Sequence, residues 1–164
     1  MASTLKVNTI AHSGGTTALT MDSTGRILTP ARPAFRAQKT SSQTATGNNQ
    51  LVTWDTVGIN TGNHFGSNVF TAPIAGLYTF SVIVLTPNDT AIETYDLMFT
   101  PSGGSLTTLA KFMSTGAANH ETVSGTMIHE MGVGDTMGFY LAATNDAIYG
   151  ASDRWSTWCG YLLG

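Results

Sequence analysis

Residues 68–85 read N-V-F-T-A-P-I-A-G-L-Y-T-F-S-V-I-V-L. A short strand ends at Thr71, the chain turns through Ala72-Pro73-Ile74-Ala75-Gly76, and a long strand sets off from Leu77. Side chains alternate across a strand. Tyr78, Phe80, Val82 and Val84 therefore share one face, and Leu77, Thr79, Ser81, Ile83 and Leu85 share the other. A strand covered on one side needs only one apolar set. Here both faces turn apolar toward Leu85, which predicts burial on both. In a chain this short, the second cover expected is another copy of the same chain.

The rest of residues 31–164 reads as strand after strand. Ala34–Ala37 and Leu51–Trp54 are short ones. From Thr94 to Phe99, Tyr95, Leu97 and Phe99 fall on one face. Leu106–Met113 is less regular, and Glu121–Met131 alternates cleanly, with Val123, Met127 and Met131 on one side. Gly132-Val133-Gly134-Asp135 is a turn, after which Met137, Phe139 and Leu141 point inward. The closing run places Trp155, Thr157, Cys159, Tyr161 and Leu163 on one face and Trp158 and Leu162 on the other. No credible helical period occurs, and many turn-punctuated short strands predict an all-β sandwich or barrel. Tyr78, Phe80, Val82, Val84, Trp155, Trp158, Tyr161 and Leu163 are the expected core and subunit-interface residues.

Residues 1–30 differ in texture: short alternating pieces joined by Gly-rich turns, then a stiff link between Pro30 and Pro33. None can bury a core alone. A solvated tail is the plain alternative, but the spaced Leu5, Val7, Ile10, Leu19, Met21 and Ile27 favour an anchoring or stalk segment.

Charged residues make up 10% of the chain and the net charge is −3, against roughly 25% charged in an average soluble protein. A surface rich in Thr, Ser, Gly and Asn is poorly defended against association and suits life inside an assembly. Seven Lys and Arg in no stripe argue against nucleic acid, which needs clustered cations. The single cysteine, Cys159, permits no disulfide within the chain. Neither an apolar signal core nor a run of membrane-span length is visible. The expectation is synthesis in a cytoplasm, without export or membrane insertion.

Five segments fall in the order of the complement C1q and tumour-necrosis-factor-like jelly roll. P-A-F-R-A (33–37) resembles its opening strand, and V-T-W-D (52–55) with G-I-N-T-G-N-H-F (58–65) its second strand and following loop. V-F-T-A-P-I-A-G-L-Y-T-F-S (69–81), G-V-G-D-T-M (132–137) and W-S-T-W-C-G-Y-L-L (155–163) resemble its most recognisable run, a late turn and its closing strand. The resemblance implies a ten-stranded jelly roll forming a homotrimer, with ligands bound through outward loops. The collagen-like G-X-Y stalk of animal members is absent from the chain, which weighs against an immune or matrix role. Residues 5–30, L-K-V-N-T-I-A-H-S-G-G-T-T-A-L-T-M-D-S-T-G-R-I-L-T-P, resemble the N-terminal module of tail-fibre and other appendage proteins of tailed bacteriophages, cyanophages especially. That resemblance implies a virion protein assembled in the host cytoplasm. The alternatives are a capsid decoration or cement protein and a secreted C1q-like lectin.

Catalytic chemistry finds little support. His120-Glu121 and His129-Glu130 form no H-E-x-x-H, and no nucleophile elbow or carboxylate pair stands out. A metal shared by three-fold copies of His12 or His64 is weaker than a solvated loop position. Asp89, Glu93, Asp146 and Asp153 could offer oxygens to calcium, but one carboxylate per loop falls short of the roughly six to eight oxygens required. No cofactor is expected. Trp54, Trp155 and Trp158 could stack on carbohydrate, but their apolar neighbours assign them to core and interface. Contact groups for a host glycan or protein are expected on loops: Asn60, Asn63 and His64 in one, Asn145, Asp146 and Tyr149 in another.

Overall fold

The computed structural model describes residues 5–164, in which every regular element is a strand. The chain divides into two compact units, Met1–Arg32 and Pro33–Gly164.

The first unit is a three-stranded antiparallel meander of β1 (Thr9–Ala11), β2 (Thr17–Met21) and β3 (Ile27–Leu28). Its second turn is closed by one carboxylate. Asp22 accepts the Thr24 hydroxyl at 2.7 Å, the backbone N–H groups of Thr24 and Arg26 at 2.9 and 3.0 Å, and the Arg26 Nε–H at 2.6 Å. The Thr24 hydroxyl and the Arg26 donors hold its pKa down to about 2. Three strands this short cannot hide their apolar side chains: Leu5, Ile10, Ile27 and Leu28 stay exposed. Asn8, Thr9, Ile10, Leu19, Met21 and Ile27 line a cleft of about 70 Å³.

The second unit is a two-sheet jelly-roll sandwich. Its strands are β4 (Ala34–Lys39), β5 (Gln43–Thr44), β6 (Gln50–Leu51), β7 (Thr56–Thr61), β8 (Phe65–Gly66), β9 (Val69–Thr71), β10 (Gly76–Leu85), β11 (Thr94–Thr100), β12 (Thr107–Met113), β13 (Thr122–Met131), β14 (Thr136–Leu141), β15 (Ala147–Ile148) and β16 (Ser156–Leu162). One sheet has the order β13-β10-β16-β4-β7; the other has β12-β11-β14-β9-β8, with β6 paired to the far end of β14, and β5 and β15 form a small separate pair. The two main sheets thus supply the ten strands of a jelly roll, plus β6. The strand expected over Leu51–Trp54 stops at Leu51. Beyond it the Trp54 N–H leaves the ladder and donates to Asn68 Oδ1 at 2.8 Å. Asn68 and Ser67, with φ of 65° and 50°, form the two-residue turn of positive φ that a tight hairpin between β8 and β9 requires.

The core lies between the sheets. From the first come Phe35, Ala37, Tyr78, Phe80, Val82, Val84, Val123, Trp158 and Leu162, and from the second Phe65, Phe70, Tyr95, Leu97, Met137, Phe139 and Leu141. Gly160 makes room for the rings, since a Cβ there would lie 2.6 Å from Phe80 and 2.8 Å from Phe35. Cys159 is half-buried on the outward face of β16, and burial pushes its thiol pKa up.

The outward face of the first sheet behaves differently. Leu77, Ile83, Ile128, Tyr161 and Ile59 are between 45 and 60% exposed. The register puts Ile128, Thr79, Tyr161 and Ala34 in one row, and Ser124, Ile83, Thr157 and Gln38 in another. Within one chain, therefore, the face with Tyr78, Phe80, Val82 and Val84 is buried, while Leu77 and Ile83 on the other face stay exposed.

Candidate functional site

A ten-residue strand, β10, sets the length of the head at about 30 Å, and its two ends differ. At one end Pro33 O accepts the Leu162 N–H at 3.1 Å and the Leu77 N–H reaches Gly164 O at 3.0 Å. This is where the chain enters the head, and the 61–65 loop lies here, since Thr61 pairs with Ala34. At the other end Leu85 O accepts the Tyr149 N–H at 2.8 Å. The loops around residues 120, 145 and 150 gather there.

The proposed contact residues divide between these ends, and two of them turn inward. Asn60 belongs to its own hairpin: its Nδ2 donates to Phe65 O and its Oδ1 accepts the Phe65 N–H, both at 2.9 Å. Asn63 is exposed at φ 59°, and His64, half-buried, folds back over Gly62. At the far end Asp146 is buried and accepts the Ala143 N–H at 2.6 Å, whereas Asn145 is exposed with φ 74°. The correction follows from backbone accounting: a tight loop needs acceptors for its own N–H groups, and Asn and Asp side chains supply them.

Beneath the Asn145 loop lies a buried acid. Glu93 is 1% exposed; its carboxylate accepts the Ala147 N–H, and its own N–H donates to Ser114 Oγ at 2.7 Å. Tyr95 Oη donates to Ala147 O at 2.7 Å. Burial pushes the Glu93 pKa up, only partly offset by the Ala147 N–H, and the charges of Asp89 and Asp146 push the same way. A carboxyl with a raised folded pKa holds its proton longer when folded, so stability falls as pH rises above the ordinary Glu value of about 4.3. Denaturant melts of wild type and Glu93→Gln between pH 4 and 7 should show wild type losing stability relative to the variant across that window. Parallel curves would mean that Glu93 titrates alike in both states. Among the described residues no three His, Cys, Asp or Glu side chains group so as to hold a metal ion.

The far end also carries an aromatic trio that sequence reasoning dispersed. Trp155 precedes β16, is 47% exposed and is absent from the core. Its ring centroid lies 5.8 Å from that of Tyr149 with planes tilted by 30°, and Tyr149 lies 4.4 Å from His120. Ser156 ties the arrangement down, accepting the Leu85 N–H at 3.0 Å and donating to Tyr149 O at 2.9 Å. The sequence carried one signal for this: Ser152-Asp153-Arg154 is turn chemistry, placing Trp155 at a loop edge rather than inside the strand. Trp54 and Trp158, by contrast, are buried, as are Tyr78, Phe80, Val82 and Val84. Tyr161 and Leu163 face outward, at 45 and 36% exposure.

Comparison with known proteins places this head among relatives. Residues 34–163 match the model of the C1q domain family. The chain is 30% identical to zebrafish (Danio rerio) Caprin-2 over 138 residues, which cover 83% of this chain and 14% of that protein. It thus spans about one-seventh of that relative's length. Among solved structures, the globular domain of zebrafish complement 1qA superposes with a TM-score of 0.64 at 18% identity, covering 80% of this chain and 98% of that one. Murine APRIL gives 0.62 at 12%, covering 80 and 99%. The Eiger TNF of S. frugiperda gives 0.63 at 11%, covering 82 and 94%. These likenesses fix the fold of the head.

Proposed function

The chain belongs to the C1q domain family, and from that premise we propose that it is a non-enzymatic virion protein of a tailed phage. It forms a homotrimeric appendage whose residues 1–30 dock to other virion proteins and whose head, residues 31–164, presents loops to a glycan or protein of the host surface. The trimer is supported by the outward face of the β13-β10-β16-β4-β7 sheet, where Leu77, Ile83, Ile128 and Tyr161 stay wet in a single chain. These large apolar side chains, left in water on one sheet face among Ser81, Ser124, Thr126 and Thr157, are the observation that carries the reading, because exposed apolar surface rimmed by polar residues marks association. The fold is one often used in trimeric proteins. Anchoring draws on the phage-appendage resemblance of residues 5–30 and on a meander that exposes Ile10, Ile27 and Leu28. Three weak head sites in one appendage would reinforce each other through effective concentration.

Quantitative mass spectrometry of phage particles carrying this gene should find the chain at a copy number typical of fibres. Far higher copy number, with particles that fall apart when the gene is deleted, would instead support the capsid-decoration reading. Absence from the particles overturns both.

A further inference from the structure

The geometry points to a carbohydrate-binding shelf built from Tyr149, Trp155 and His120 at the far end of the head. This inference rests on the attachment reading above and names its ligand class: a neutral pyranose at a glycan terminus. First, the rings stand at the end opposite Pro33, about 30 Å from where the chain enters the head, so they face away from that entry. Second, they are held from behind. The Tyr149 backbone is fixed by Leu85 and Ser156, and His120 Nδ1 lies against Thr86 O at 2.5 Å. The Gly150 N–H donates to Ser42 Oγ at 3.2 Å. Such prior ordering lowers the cost of binding a weak ligand.

Third, the chemistry is amphipathic. Tyr and Trp rings offer apolar faces with a polar handle at the edge, the pattern matching a sugar with one C–H face and a girdle of hydroxyls. Among the described residues no hydrogen bond takes up Tyr149 Oη, the Trp155 indole N–H or His120 Nε2, so all three can serve hydroxyls. Asn119, Ser152, Asp153 and Arg154, exposed neighbours in sequence, add donors and acceptors of mixed charge. That mixture favours a neutral sugar over a polyanion.

The three tryptophans supply the test, since Trp54 and Trp158 are buried and Trp155 is exposed. Acrylamide quenching of the full-length protein should show one accessible indole. Titration with methyl glycosides of glucose, galactose, mannose and N-acetylglucosamine should protect it in at least one case. Trp155→Ala should abolish the protectable signal, and Tyr149→Ala should weaken binding of that sugar, followed by calorimetry, about tenfold or more. Val133→Ala, exposed in the turn at the other end, should leave affinity unchanged. Three results overturn the shelf: no sugar protects the indole, the sugar binds equally well to Tyr149→Ala, or Trp155 in the wild-type protein is already shielded by a second copy. Adsorption of the labelled full chain to host cells separates the two readings. Wild type and Trp155→Ala adsorbing equally would sink the shelf and leave attachment standing, whereas no adsorption by wild type would sink attachment itself.

Discussion

Ile83→Asp is expected to turn the proposed trimer into a monomer of 17.2 kDa without unfolding it. Ile83 is 50% exposed on the outward face of β10, between Ser124 of β13 and Thr157 of β16. In a lone chain the new carboxylate sits in water, where a surface substitution costs within about 0.5 kcal/mol. Across a three-fold interface it would be buried in three copies. An unpaired buried charge costs roughly 3–5 kcal/mol, so the dissociation constant should rise by several orders of magnitude. Light scattering across a concentration series, with circular dichroism to verify the fold, reads the result. Met113→Asp is the control: Met113 is 58% exposed on β12, at the edge of the other sheet, and its substitution should leave the mass unchanged. Wild type already monomeric, or Ile83→Asp still trimeric, would remove this face from the interface.

The same strand shows what a sequence can disclose. Period-two alternation in β10 marks Tyr78, Phe80, Val82 and Val84 as one face, and that face is the core because only aromatic and branched side chains fill a sandwich this thick. The second apolar set was equally visible, yet nothing in the sequence distinguishes a face covered by its own chain from one left for another. β11 is the reverse case. Asp96 and Met98, on the side away from the core, are also buried. Asp96 lies 2.7 Å from Lys111 on neighbouring β12, a partner that only the β11–β12 register reveals.

Loop residues were read less well, for a physical reason. An Asn left open to solvent and an Asn that closes its own loop are the same residue until the backbone is known; Asn63 is exposed, whereas Asn60, three positions before it, bonds both ways to Phe65. Tryptophans carry the same ambiguity. Trp155 and Trp158 share a run of W-S-T-W-C, but the ladder begins at Ser156. One ring is therefore left at the loop edge while the other enters the core.

Trp158→Ala should be the most damaging single truncation in the head. Its indole is fully buried, with centroids 4.7 Å from Phe35, 5.6 Å from Phe65, 6.0 Å from Trp54 and 6.5 Å from Phe80. It therefore bridges the two sheets. Truncating such a ring costs about 3–5 kcal/mol through lost transfer energy and the cavity left behind. That is a large share of the roughly 5–15 kcal/mol holding a domain together. At about 2–4 °C per kcal/mol for a chain of this length, the melting temperature should fall by about 6–20 °C. Trp158→Phe separates ring volume from polarity. Among the described residues the Trp158 Nε1 has no hydrogen-bond partner, and a buried unsatisfied donor carries a penalty of about 1–3 kcal/mol. Phe removes that donor while keeping most of the contact surface, so it should cost less than half of what Ala costs. A melt in which Ala and Phe destabilise equally would show that the indole N–H is satisfied by water. One in which Ala shifts the midpoint by under about 3 °C would show that the sheets pack without Trp158 between them.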